Sequence, residues 1–210
     1  MIRTKVLVGI ALITLSSLLA FLYFFVGIPR TGEAAKFNPS LPTTVIDGCS
    51  GKSVQVVPFD DLPKSLRDAL SVAEPVRLQY AQVARLSLCN SKRRAFRYVV
   101  DSYRLSQKLR FRFSANEIQT IYLNEVYFGN DTFGIESGAL LYAHKHPKDL
   151  SLSESALLVG IIWSPGRYSP LKYPDAARTR RNQILDLMAA QNLVSKHDAE
   201  QAKADPLSTN

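Results

Sequence analysis

The 210 residues carry 46% hydrophobic side chains and a formal net charge of +8, from 26 Lys and Arg against 18 Asp and Glu. That hydrophobic fraction excludes a disordered or fibrous chain and predicts one compact domain with a smaller extra part.

The extra part comes first. After Arg3 and Lys5, the run "VLVGIALITLSSLLAFLYFFVGI" from Val6 to Ile28 has no charge, and as a helix it would extend roughly 34 Å, enough to cross a bilayer core. The apolar core of a cleavable signal is only about 7–15 residues and ends in small residues. Here the bulky "FLYFF" lies at that end, so residues 1–28 read as an uncleaved anchor. The basic residues before it predict a cytoplasmic N-terminus and an extracytoplasmic remainder.

Residues 29–42, "PRTGEAAKFNPSLP", read as a linker. "TTVIDGCSGKSVQVVPF" gives two β-branched runs around a Gly-containing turn, a short hairpin. Cys49 and Cys89 are compatible with one disulfide outside the cytoplasm, and without C-x-x-C spacing they suggest no zinc or redox site. "DDLPKSLRDALSVAE" spaces Leu66, Ala69, Leu70 and Ala73 at helical intervals, and Pro75 disfavours helical geometry at Glu74, placing that carboxylate at the helix C-terminus.

From Lys92 to Arg112 the chain carries eight Lys or Arg and a single acid, Asp101. On a helix, Arg93, Arg97, Arg104 and Lys108 share one face while Phe96, Val99, Val100 and Tyr103 share another. Such a basic face is either solvated or turned to anionic headgroups or diphosphates. Nucleic acid is a poor fit outside the cytoplasm.

Ser114 and Glu117 form a capping box for a helix that runs through Ile118, Ile121 and Tyr122 and stops at Gly129. "NDTFG" reads as a turn. "IESGALLYAHKH" and "SLSESALLVGII" are two further helices, the second capped by Ser151 or Ser153. "WSPGRYSP", with two prolines and a glycine, is expected to be irregular. "PDAARTRRNQILDLMAAQNL" is the last long helix, and the tail "KADPLSTN" is expected to fray. His144 and His146 read as surface residues, and the aromatics of "IYLNEVYFG" as core rather than substrate platform. Trp163 is open to either role.

The stretch "NEIQTIYLNEVYFGNDTFGIESGALLYAHKHPKDLSLSESALLVGIIWSPGRYSPLKYPDAARTRRNQIL" resembles the family 51 glycosyltransferases, the peptidoglycan transglycosylases found alone or at the front of class A penicillin-binding proteins. "VVPFDDLPKSLRDALSVAE" resembles the lead-in to that family's first catalytic motif. The resemblance implies a mainly α, lysozyme-like domain over residues 43–205, shortened and carrying a small β-hairpin behind the anchor. It implies polymerisation of lipid II, a disaccharide-peptide joined through a diphosphate to a polyprenyl tail.

By resemblance, Glu74 falls on the glutamate of the motif E-D-x-x-F, the general base. Pro75 replaces the aspartate, and some 25 to 30 residues that would follow have no counterpart, an estimate from the resemblance alone. "YAQVAR" resembles the family's "TQQLAK", matching Gln82 and Arg85. Arg93 falls on a basic position, Arg97 on the arginine of R-K-x-x-E, and Asp101 on its glutamate, with Ser102 as the alternative register. These residues would bind the donor and its departing diphosphate. The resemblance permits a divalent cation there, with no ligand set visible.

Read without the resemblance, Glu74 is a solvated helix end and Asp101 an ion-pair partner of Arg97 or Arg104. Two functions stay open: a peptidoglycan glycosyltransferase, of weak or lost activity given the missing segment, and a non-catalytic relative that binds lipid-linked precursor, glycan strands or other wall-synthesis proteins.

Overall fold

The computed structural model describes residues 44–46, 53–88 and 95–207. The proposed anchor and linker, both cysteines and Arg93 lie outside the described residues. Among those described, no helix is long and apolar enough to cross a membrane.

The chain opens with the expected hairpin, strands β1 (Thr44–Ile46) and β2 (Ser53–Gln55) paired antiparallel with Val45 opposite Val54. Nine helices follow among the described residues: α1 (Lys64–Ala73), α2 (Val76–Leu86), α3 (Ala95–Arg112), α4 (Ala115–Glu125), α5 (Ile135–Ala143), α6 (Leu152–Trp163), α7 (Pro165–Tyr168), α8 (Pro174–Ala190) and α9 (Lys196–Ala204). A second small hairpin, β3 (Tyr127–Gly129) with β4 (Thr132–Phe133), stands between α4 and α5.

Two groups of helices build the core. In one, α6 lies against α1 and α8, and α9 covers α8; in the other, α2 packs on both α3 and α4. Helix α6 is the centre of the first group, with Ser153 through Ile162 all buried, as a helix apolar on every side must be. Its expected cap is Ser151, whose side chain accepts from the Glu154 N–H while Glu154 returns to the Ser151 N–H at 2.8 Å. The Ser114–Glu117 box at the head of α4 is formed in the same way. Asn124, fully buried on α4, fastens the chain after β2: it accepts from the Val57 N–H and donates to the Val57 carbonyl, both at 2.8 Å.

Four expectations are corrected. Helix α4 stops at Glu125 and the aromatic run beyond it is strand β3; Phe128 there is fully buried against Gly138 of α5, where an added Cβ would come within 2.8 Å of its ring. "WSPGRYSP" is not wholly irregular, because Pro165 begins the single helical turn α7, a position where its missing N–H costs nothing. The basic helix α3 is turned differently from its expected faces: Val99 and Tyr103 are 63% and 59% exposed, while Asp101, Arg104, Leu105 and Leu109 are buried. The buried side follows the two leucines, four residues apart, and carries Asp101, one turn before Leu105, and the adjacent Arg104 inward.

The tail is the fourth. Over its described part, residues 203–207, it does not fray: Lys203 and Ala204 close α9, Leu207 packs against the core, and the fully buried Arg181 of α8 holds the helix end, Nη1 donating to the Asp205 carbonyl at 2.8 Å and Nη2 to the Lys203 carbonyl at 2.7 Å. Nη1 also donates to Ser153 Oγ of α6 at 3.0 Å. One guanidinium thus ties three helices and satisfies carbonyls that a helix end leaves open.

Arg181→Met should destabilise the protein by about 2–4 kcal/mol, since carbonyls and a hydroxyl lose their donor while buried; chemical denaturation measures it, with hydrogen exchange fastest in α9. His144 ends α5 in the left-handed region at φ 55° with its side chain exposed. His144→Gly should therefore stabilise by about 0.5–1 kcal/mol in the same assay, the relief of left-handed strain exceeding the added freedom of the unfolded chain.

Candidate functional site

The site begins with a break between two helices. Glu74 leaves α1 in extended geometry, φ −146° and ψ 94°, its N–H donating to the Leu70 carbonyl at 2.9 Å. Pro75 makes helical geometry unfavourable at Glu74 and then starts α2. The turn is locked by Gln79, whose Nε2 donates to the Glu74 carbonyl at 2.8 Å from a fully buried position on α2.

The Glu74 side chain is not solvated. The residue is 6% exposed, and its Oε2 accepts from the Tyr122 hydroxyl of α4 at 2.5 Å. Burial raises the Glu74 pKa above the ordinary carboxylate value, while hydrogen bonds from Tyr122 and Gln82 act the other way. Burial and the neighbouring carboxylate push the Tyr122 phenol upward, so it stays a donor. A carboxyl so placed accepts a proton more readily than a solvated one.

Of the other expected residues, Gln82 joins Glu74. Arg85 lies exposed on α2, and its carbonyl accepts from the Tyr98 hydroxyl at 3.2 Å. Asp101 is buried on α3, 3.9 Å from Nε of the exposed Arg97 one turn before it, a loose ion pair. Ser102, the alternative register, is also buried and donates to the Val99 carbonyl. His146 is exposed as expected, yet its ring meets the buried Glu136 at 2.5 Å. Trp163 is 57% exposed, with the Arg180 guanidinium 5.5 Å from its ring centre.

Among the described residues, no three His, Cys, Asp or Glu side chains converge as a metal site. An open cleft of about 430 Å³ lies at the opposite end of α1, lined by Lys64, Ser65, Asp68, Leu193 and Asp198 among others, and does not include Glu74.

Tyr122 and Gln79 were not read as site residues from sequence. Gln79 carries a local signal, a buried-side amide at the start of the helix that follows Glu74. Tyr122 carries none, because it shares the core face of α4 with Ile118 and Ile121 and meets Glu74 across 48 residues of chain.

The sequence profile described as Transglycosylase matches residues 76–189, beginning just after the Glu74–Pro75 step. Penicillin-binding protein 1A of Neisseria flavescens is 26% identical over 96% of this chain and 29% of its own length. Penicillin-binding protein 2D of Bacillus subtilis is 34% identical over 65% of this chain and 19% of its own. The chain therefore spans less than a third of these relatives. A crystal structure of penicillin-binding protein 1A from Haemophilus influenzae aligns with 76% of this chain and 20% of its own, at 21% identity and a TM-score of 0.47. With more than half of its residues matched by the profile, this chain belongs to the transglycosylase family.

Proposed function

We propose that the protein is a peptidoglycan glycosyltransferase, acting on lipid II or on glycan strands carried by a lipid diphosphate, with Glu74 as general base. The observation that carries this reading is the buried Glu74 carboxylate, held by Tyr122 directly ahead of the transglycosylase segment. Glu74 takes the proton of the acceptor sugar's 4-hydroxyl. That oxygen bonds to the donor's anomeric carbon, the bond from this carbon to the diphosphate oxygen breaks, and the lipid diphosphate departs with the electron pair.

Asp101, Arg93, Arg97 and Arg85 serve the donor side in this reading, the cations offsetting charge that develops on the departing diphosphate. Gln82 acts at Glu74. The domain works on the extracytoplasmic side of the cytoplasmic membrane, held there by residues 1–28 as a single-pass anchor. The exposed Arg97 supports the diphosphate role, since a surface guanidinium is available to an anionic ligand.

Glu74→Gln should lower lipid II polymerisation by about 10²–10⁴-fold while the protein stays folded, measured on the detergent-solubilised full chain. Retention of lipid II binding with no polymerisation by the wild type would favour a binding role instead. The same substitution bears on stability. Burial holds Glu74 above its ordinary 4.5, so the unfolded chain releases this proton first and the fold loses stability as pH rises through that range. Glu74→Gln should accordingly raise Tm at neutral pH, an advantage that disappears below about pH 4, as calorimetry across pH reads directly.

A further inference from the structure

We propose that Tyr122 is a positioning residue for Glu74: by holding Oε2 it fixes the carboxylate's rotamer and leaves Oε1 as the oxygen that takes the acceptor's proton. This rests on the reading of Glu74 as general base. It goes beyond it by giving a role to a residue whose sequence context is that of plain core.

Packing alone does not require the hydroxyl. Tyr122 is 2% exposed on the inner face of α4, where a phenylalanine would fill the same space, and a buried hydroxyl is tolerated only with a partner. Its partner is the one carboxylate at the α1–α2 break. The backbone of Glu74 is already fixed, by its N–H to Leu70, by Gln79 on its carbonyl and by Pro75 after it. The side chain keeps its own torsions, and a glutamate has roughly 1.5–2 kcal/mol of rotamer freedom to lose. Tyr122 supplies a contact that removes part of this freedom, from a helix separate from the two that flank Glu74, beside the hydrogen bond from Gln82 of α2. A base misplaced by about 1 Å costs roughly a hundredfold in rate, so an anchor at Oε2 is worth more to the reaction than to the fold.

The groups that act on the ionisation of Glu74, besides burial, are Tyr122 from α4 and Gln82 from α2. Both favour the charged form. Removing the phenol should therefore make Glu74 easier to protonate as well as freer to turn.

The test uses the full chain in detergent, with the Glu74 carboxyl followed by ¹³C NMR and assigned by its loss in Glu74→Gln. Tyr122→Phe should move the Glu74 titration to higher pH, lower kcat for lipid II polymerisation by about 10–100-fold with KM nearly unchanged, and shift the acid limb of the kcat profile upward. 3-Fluorotyrosine at position 122, a stronger donor of nearly the same volume, should move the titration to lower pH, and it keeps the test open should the phenylalanine variant unfold. A Glu74 titration and pH profile unmoved by either change would overturn the proposal. If the wild type shows no turnover but the titrations move in these opposite directions, the positioning contact stands and the base reading fails. If turnover is robust and depends on Glu74 while the titrations stay fixed, the base reading stands and the positioning role fails.

Discussion

The peptide step from Glu74 to Pro75 is the constraint around which the domain is arranged. Proline makes the helical region unfavourable for the residue before it, so α1 ends at Ala73, and the chain re-enters helical geometry at Val76 in a new direction. The helices on either side go to different partners: α1 to α6 and α8, and α2 to α3 and α4. Glu74 thus sits at the joint between two packing units, and its side chain reaches into the second, where Tyr122 receives it. A helical residue in place of Pro75 would let α1 and α2 run on as one rod, and one of the two packing units would lose its place.

That location carries a tension. A carboxyl sheltered from water opposes ionisation, and the surrounding donors only partly offset the cost. A solvated carboxylate at the same helix end would suit stability better, whereas proton transfer favours a base whose affinity for protons has been raised. The pairing of Asp101 with Arg97 differs in kind. It is long at 3.9 Å and has one highly exposed member, so it contributes little to stability and leaves the guanidinium available to an external anion.

What could be read from the sequence was what depends on neighbours in the chain. The Ser114–Glu117 and Ser151–Glu154 boxes are three-residue patterns with one geometry, and both form; the stop at Pro75 is a clash between adjacent residues. The faces of α3 were misread because Val99 and Tyr103 have the periodicity of a core stripe, while α2 packs on the side marked by Leu105 and Leu109. Only the partner helix decides between those stripes. Helix α9 was missed because its sequence is polar and short, and its anchor is an arginine on α8 whose charge reads as a surface residue. Of the candidate site, the helix break at Glu74 was legible through Pro75, while the roles of Glu74 and Gln82 come from the family resemblance alone. Tyr122 was hidden because its meaning lies in a hydroxyl that meets the chain 48 positions earlier.

The grip of Arg181 on the carbonyls of Lys203 and Asp205 makes a buried cation depend on the last helix among the described residues. Chain emerges from the ribosome in one direction, so α6 and α8 are complete while the acceptors for this guanidinium are still unmade. Until they appear, the first packing unit holds a cation inside an apolar interface with only Ser153 and Asn182 to meet it, an arrangement that favours staying open to water. The last turn of α9 completes the set of partners for that guanidinium and joins the late end of the described chain to helices made before it.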